Sequence, residues 1–388
     1  MKRIIFDLTA TQPIGNIKYH GGGKYGVALF KHLCYIAADK IAAYYDKRRY
    51  IEPIIESLIS DYNIQTYLKE DYTIIDAARK EACVIYTPLF YPDLTQLPPK
   101  DITVIFTQHG LRMFEMPHDK YESAYMLGDV GIINRIRLYI RRHIPIRHKH
   151  YLRHECLFSQ NNIHFVTVSE HSKYSILSFF PKVKADSIKV FYSPSTITFE
   201  DKVVPDKDAN CLGKYWLIVS GNRWLKNSLR AIIAFDELFS ERTDFHGKVV
   251  ITGLAKWDQI RYKIKHKDRF ILKGYVDEKD LYNLYKNAYA LVYPSLNEGF
   301  GYPPLEAMCE GCPVIASAIS SIPEVCGDSV LYFNPYLISE LKMRILNMED
   351  SQIRSQYITK GYKRFSIIKE KQDRDLEGLC SYILSFIK

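Results

Sequence analysis

At 388 residues the chain is too long for one ordinary hydrophobic core and suits two domains of about 150–200 residues each. Hydrophobic residues make up 47%, which excludes a disordered chain, and no run approaches the roughly 18 apolar residues that a membrane span needs. The net charge of +9 is modest over this length but unevenly spread.

In chain order, Met1-Lys2-Arg3-Ile4-Ile5-Phe6-Asp7-Leu8 has the charged start of a secretory signal. Asp7 interrupts the apolar run at once and no small-residue cleavage site succeeds it, so the segment reads as a strand, Arg3–Leu8, of a cytoplasmic protein. After an insert from Thr9 to His20, the cluster Gly21-Gly22-Gly23-Lys24-Tyr25-Gly26 precedes helical periodicity over Tyr25–Ala38. It is not the G-x-G-x-x-G of dinucleotide binders and arrives too late after the strand. Further strands are expected at Cys83–Thr87, Thr103–Gln108 (then His109-Gly110), His164–Ser169 and Ile188–Tyr192. A helix is expected at His171–Phe180, N-capped by Ser169. Between Asn134 and His154, basic residues from Arg135 to Arg153 interleave with apolar ones and no acid intervenes. That segment is either a solvated basic helix face or a contact with an anionic membrane surface. No nucleic-acid module surrounds it, so nucleic acid is not an expected partner.

Pro194–Asn210 carries prolines and charges without periodicity and reads as the linker, with the boundary near residue 197. The second half alternates strands at Tyr215–Val219, Lys248–Thr252, Phe270–Leu272, Ala290–Tyr293 and Val314–Ser317 with helical patterns, among them Asn227–Phe239. Such alternation predicts parallel sheets covered by helices, which bind ligands at the carboxyl ends of their strands. Eight cysteines without a signal peptide read as free thiols, and the CxxC of Cys309 and Cys312 as small buried residues in a helical stretch. Asp206-Lys207-Asp208 and Asp373-Arg374-Asp375 are D-x-D strings in charged, non-strand segments and read as solvated charge, so no metal site is expected.

The most informative stretch is Glu298-Gly299-Phe300-Gly301-Tyr302-Pro303-Pro304-Leu305-Glu306, between a strand and a helix with proline near its first position. Both glycines are expected to let the backbone approach a ligand and take positive φ. The free N–H groups at the helix start favour a phosphate, and the two carboxylates suit sugar and ribose hydroxyls. Glu306 is expected in the helix's first turn. Val219 to Asn227 forms a second station, a strand-to-helix turn with Arg223 and Lys226. Leu272-Lys273-Gly274-Tyr275-Val276 is a third, before a helical stretch starting at Asp280.

The run Glu298 to Ala307, with Gly311-Cys312-Pro313-Val314-Ile315-Ala316 and Pro323 to Asp328, resembles family 4 of the retaining glycosyltransferases (glycosyltransferase group 1), and most of all its mannosyltransferase-like members. The resemblance covers the second half closely and the first half loosely. It implies the GT-B fold: α/β, two Rossmann-like domains facing across a deep cleft. The domains would be 1–196 on the acceptor side and 197–370 for the nucleotide sugar, with a helix at 371–388 crossing back to the first.

By the same resemblance, Glu298 holds the donor sugar's hydroxyls and Glu306 the ribose. The backbone of Gly299, Phe300 and Gly301 meets the sugar and distal phosphate, and Arg223 and Lys226 clamp the diphosphate. The Gly274, Tyr275 and Val276 loop meets the nucleobase, with Tyr275 either stacking on it or packing in the core. In the first half, Gly22 and Gly23 face the donor phosphates and acceptor, His109 lies near the sugar, and Lys173, in Ser169-Glu170-His171-Ser172-Lys173, lies toward the acceptor.

The implied activity is retaining, metal-independent hexosyl transfer with no cofactor. The implied donor is a nucleotide-diphosphate sugar, GDP-mannose as the first choice, and the acceptor a growing glycan or lipid-linked glycan of a surface polysaccharide, met at the inner face of the membrane. The competing reading is a non-catalytic nucleotide-sugar-binding or scaffolding subunit; retention of both Glu298 and Glu306 speaks against it.

Overall fold

The computed structural model describes residues 2–13, 21–89, 97–117, 119–125, 146–195, 197 and 212–387. Two compact units emerge. The first comprises Met1–Leu111, His148–Thr196 and Lys369–Lys388, the second Arg112–Arg147 and Ile197–Ile368. The segment beginning at Arg112 thus groups with the second unit, although in sequence it sits within the first half.

The first unit is a seven-stranded sheet of β1 (Ile4–Asp7), β2 (Ile41–Tyr45), β3 (Gln65–Leu68), β4 (Val84–Thr87), β5 (Thr103–Gln108), β6 (Ile163–Thr167) and β7 (Lys189–Val190). Its order is β3-β2-β1-β4-β5-β6-β7, and every pairing is parallel. The second unit holds β8 (Tyr215–Ile218), β9 (Lys248–Thr252), β10 (Phe270–Lys273), β11 (Ala290–Tyr293), β12 (Val314–Ser317) and β13 (Leu331–Phe333). They run β10-β9-β8-β11-β12-β13, again all parallel. Both orders reverse direction once, between β1 and β4 and between β8 and β11, which is the doubly wound arrangement.

The central strands read as unbroken apolar runs because helices cover both faces. Ile4–Asp7, Val84–Thr87, Tyr215–Ile218 and Val314–Ser317 are buried throughout. Sequence patterning found these and passed over β2, β3 and β13. Strand β3 lies at an edge with only Tyr67 buried and β13 spans three residues, so neither carries a strong apolar signal. The core of the second unit gathers Trp216, Phe235, Phe245, Val249, Ile251 and Phe333.

Several sequence expectations need correction. The first helix spans Gly21–Ala37, so the glycine cluster opens the helix instead of preceding it. At Gly26 a Cβ would sit 2.4 Å from Thr11 Cγ2 and 3.0 Å from Pro88 Cγ, so the glycine lets this helix lie close on its neighbours. The insert from Thr9 is described only to Pro13, where a short 3₁₀ turn, Leu8–Ala10, is capped by Asp7. Of the basic segment, 134–145 lie outside the described residues. The helix Ile146–Phe158 comes next, with His154 and Leu157 buried. The linker is outside the description apart from residues 194, 195 and 197, as are Asp206, Lys207 and Asp208.

The helix Ser351–Leu384, with a 3₁₀ turn Ser385–Ile387 after it, contributes its residues from Lys369 to the first unit. There Leu379, Cys380 and Ile383 are fully buried, and Gln372 Nε2 donates to the Ser193 carbonyl at 2.6 Å. Asp375 is not solvated charge. Its carboxylate accepts the Tyr192 N–H at 2.8 Å and pairs with Lys371 at 2.8 Å, whereas exposed Asp373 pairs within its own helix, with Lys369. Cys312 is buried, its thiol pushed up to about 12 by burial, and Cys309 ends the helix Tyr302–Cys309. Among the described residues no helix is long and apolar enough to cross a membrane, and no His/Cys/Asp/Glu group is arranged to hold a metal ion.

The two aspartates separate cleanly by experiment. Asp375→Ala strands a buried N–H and should cost about 1–3 kcal/mol in urea unfolding, while Asp373→Ala should stay within about 0.5 kcal/mol of the parent.

Candidate active site

The reversal of strand order between β8 and β11 opens a crevice at their carboxyl ends, where doubly wound sheets place ligands. Two loops leave from there, Val219–Asn227 after β8 and Pro294–Gly301 after β11, and they are tied together. Leu296 N donates to Leu225 O at 2.9 Å, and the Asn227 side-chain amide donates to the carbonyls of Pro294 and Pro335, each at 2.9 Å. Asn227 is left-handed at φ 54°, as are Ser220 (58°) after β8 and Ser320 (53°) after β12. Such backbone costs about 1–3 kcal/mol per non-glycine residue and collects where a site over-determines it.

Lys226 and Glu298, one from each loop, meet at this point. Lys226 Nζ donates to Glu298 Oε1 at 2.6 Å and to the Tyr293 hydroxyl at 3.2 Å. The lysine and glutamate side chains are only 12% and 8% exposed. Burial pushes the Glu298 carboxyl upward, but the Lys226 and Arg112 charges and the Lys226 hydrogen bond prevail and hold it at about 2. Lys226 is lowered, because burial and the neighbouring Arg223 charge outweigh the attraction of Glu298. Arg223 itself opens the 3₁₀ turn Trp224–Lys226 and is exposed. The arrangement is a buried carboxylate acceptor beside cations, suited to a ligand that combines hydroxyls with an anionic group.

The loop beyond Glu298 is held from behind. Ser320 Oγ accepts the Glu298 N–H at 3.0 Å, and Ser321 Oγ donates to the carbonyls of Glu298 and Phe300 at 3.0 and 2.9 Å. Phe300 is buried. Gly301 caps the helix Tyr302–Cys309 at φ 104°, and a Cβ there would meet nothing within 4 Å. Gly299 is not among the positive-φ glycines, so only one of the two glycines uses that freedom. Glu306 falls in the helix's second turn instead of its first, buried, with one oxygen accepting the Tyr285 hydroxyl at 3.0 Å.

The third station lies after β10. Gly274 O accepts the Gly253 N–H at 2.8 Å, Tyr275 is 68% exposed, and Val276 is half-buried. That exposure removes core packing as a role for Tyr275. The helix beyond begins at Glu278, not Asp280, with Asp277 as its N-cap.

The remaining sequence candidates belong to the first unit, around Pro88 at the end of β4. His109 Nε2 hydrogen-bonds the Pro88 carbonyl at 2.8 Å, and its ring meets Tyr25 edge-on at 4.7 Å. Gly22 and Gly23 lie in the first helical turn, where a Cβ on Gly22 would sit 2.5 Å from Leu89 Cδ2. Ser169 caps the helix Glu170–Phe179, and Ser172 Oγ donates to His109 O at 3.3 Å. Lys173, in that first turn, is half-buried.

Sequence reasoning missed the segment Arg112–Tyr125, because its partners are distant in the chain. Asp119 makes a two-pronged ion pair with Arg230 at 2.6 and 3.0 Å, with side chains 1% and 6% exposed. It also accepts Trp224 Nε1 at 2.6 Å, one residue from Arg223. Burial raises the Asp119 carboxyl, yet Arg230 and Trp224 bring it below its ordinary value. Tyr125 OH accepts Leu229 N at 2.7 Å, and Arg261 N donates to Ala124 O at 2.8 Å. Arg112 reaches Glu298 Oε2 at 3.9 Å, and Glu115 accepts from the Asn297 amide. Tyr293 and Tyr285 were missed as well; their apolar bodies fit a strand end and a helix face without revealing what the hydroxyls hold.

The folded Glu298 carboxyl sits at about 2 against 4.5 for the free group, so its ionic contribution is complete above pH 4.5 and lost as pH falls towards 2. Glu298→Gln should therefore cost roughly 3 kcal/mol in urea melts at pH 7 and less than half of that at about pH 3. An equal penalty at both pH values would contradict the pairing.

Residues 213–364 match the family model described as glycosyl transferases group 1. O-antigen chain mannosyltransferase B of Escherichia coli is 27% identical over 94% of this chain and 96% of its own. Among solved structures, a glycosyltransferase from Rickettsia africae superposes with a TM-score of 0.63 at 14% identity, covering 100% of this chain and 99% of that one. HepE of Anabaena, solved with UDP-glucose, gives 0.58 at 14% identity, covering 98% of this chain and 100% of its own. With the two parallel-sheet α/β units and the loops at β8 and β11, these likenesses give the chain a glycosyltransferase group 1 domain over residues 213–364, on the GT-B fold.

Proposed function

We propose that this glycosyltransferase moves a hexose, mannose by first choice, from a nucleotide-diphosphate sugar onto a glycan or lipid-linked glycan in surface polysaccharide synthesis, with retention and without a metal ion. The observation that carries the site assignment is the Lys226–Glu298 pair, 2.6 Å apart at the strand-order reversal. It sets a cation suited to a phosphate beside a carboxylate suited to hydroxyls. The helix start at Gly301–Tyr302 adds the positive end of a helix dipole. Mannose rests on the likeness to the Escherichia coli mannosyltransferase, GDP on the resemblance of the Glu298–Ala307 motif to mannosyltransferase-like members, and a nucleotide-sugar donor is supported by HepE's complex with UDP-glucose. Membrane contact through residues 134–154 belongs to the same proposal, supported by the alternation of basic and apolar residues there.

In the proposed step the bond from the anomeric carbon to the phosphate oxygen breaks as the acceptor oxygen bonds that carbon from the same face. The acceptor's hydroxyl proton passes to the departing phosphate. Lys226 and Arg223 meet the charge growing on that phosphate, the work a divalent cation does elsewhere. Glu298 fixes the sugar through its hydroxyls and Glu306 the ribose. Exposed Tyr275 stacks on the base in this proposal, which its 68% exposure supports.

Thermal unfolding of the chain with EDTA, against a panel of nucleotides and nucleotide sugars, tests this directly. The true donor at 100 times its Kd adds about 2.7 kcal/mol, and GDP-mannose should give the largest shift. Lys226→Ala should lower turnover by roughly 10- to 1000-fold. Full activity in that variant, or a shift abolished by EDTA, would overturn the metal-independent cation clamp.

A further inference from the structure

Arg112 stands at the start of a segment that no sequence motif marks, yet its guanidinium lies 3.9 Å from the outer oxygen of Glu298. The inner oxygen belongs to Lys226. At 3.9 Å the Arg112 contact acts through charge and not as a hydrogen bond. The arginine is 49% exposed and so has room to move with its partner.

A buried carboxylate needs compensation at every stage of donor binding. Lys226 has three N–H donors, and Glu298 and Tyr293 already take two. An arriving diphosphate brings a second anion to the same lysine, and although Arg223 joins Lys226 on that phosphate, the Glu298 carboxylate must then be compensated by the other charge that acts on it, Arg112. Without another cation the approach of the diphosphate would set two anions against each other across Lys226, and Glu298 would lose the charge and aim with which it grips a sugar hydroxyl.

The segment that carries Arg112 is built to stay in place. Asp119 fastens it to Arg230 and Trp224, Tyr125 to Leu229, and Ala124 to Arg261. Glu115 holds Asn297, the residue before Glu298. Resting on the donor-site reading above, we propose that Arg112 is a positioning residue that keeps Glu298 compensated and aimed at the donor sugar while Lys226 is engaged by the diphosphate. Its influence therefore falls on the sugar part of the donor and on turnover, and not on the nucleotide part.

The test uses the full chain and its Arg112→Ala and Arg112→Lys variants. Thermal shifts are read with GDP and with GDP-mannose, or with whichever nucleoside diphosphate and sugar the wild type answers to, and kcat and KM are measured for transfer. Arg112→Ala should keep the wild-type shift with the bare nucleotide, lose most of the extra shift that the sugar confers, and fall at least ~10-fold in kcat, less than the roughly 100- to 1000-fold of a donor that touches the transition state directly. Arg112→Lys should recover most of that loss, which a merely structural role would not allow. Unchanged kcat in Arg112→Ala overturns the inference, and so does a parallel loss of the bare-nucleotide shift. A wild-type chain that answers to no nucleotide sugar overturns the donor-site reading, and this inference with it.

Discussion

A lysine and a glutamate meeting at 2.6 Å with almost no solvent would each be costly alone, since burying an unpaired ion costs several kcal/mol. Together they are tolerable only if the geometry is held and the remaining hydrogen-bonding positions are filled. Much of the second unit's loop structure does this. Tyr293 takes a second hydrogen of Lys226, Arg112 faces the outer oxygen of Glu298, and Ser320 and Ser321 clamp the backbone on either side of the carboxylate. The pair is therefore a charged focus, held in place at the carboxyl end of the second sheet.

The fold supplies that focus through topology. Reversal of strand order makes the loops after β8 and β11 diverge at their base, and Asn227 closes the gap by donating to two carbonyls from a left-handed backbone. Asparagine tolerates that conformation better than most residues. Its side-chain oxygen in turn accepts from Arg230, whose guanidinium lies over the Tyr121 ring at 4.6 Å and grips Asp119. A chain of contacts thus runs from a segment early in the sequence to the turn that bears Lys226. Such a buried ion pair is weak evidence for stability by itself. Its better-supported role here is to fix the conformation of the turn.

The glycosyltransferase motif was legible because its chemistry is local. Glu298, the glycine at 301, the prolines that start the helix and Glu306 lie within one strand–loop–helix unit, so spacing alone places them at one end of one sheet. The same holds for Arg223 and Lys226 after β8. What was illegible depended on partners far away in the chain: Arg112 against Glu298, Asp119 against Arg230, Asp375 against the Tyr192 backbone. An aspartate in a D-x-D string carries no mark that one of its members will accept a backbone N–H far away in the chain.

By itself, the sequence determined the two parallel α/β sheets, most of their central strands, and the identity of the motif residues. Apolar runs, caps and glycine–proline punctuation are set by short-range sterics and by burial on both strand faces. Tertiary structure decided which motif residues touch, that Glu298 is paired with Lys226 and shadowed by Arg112, that Tyr275 faces outward, and that the Arg112–Tyr125 segment serves the second unit. Those are facts of charge and packing between residues as far as 186 positions apart, as Arg112 and Glu298 are. No local pattern encodes them, because each becomes favourable only once the sheet has brought its partner within reach.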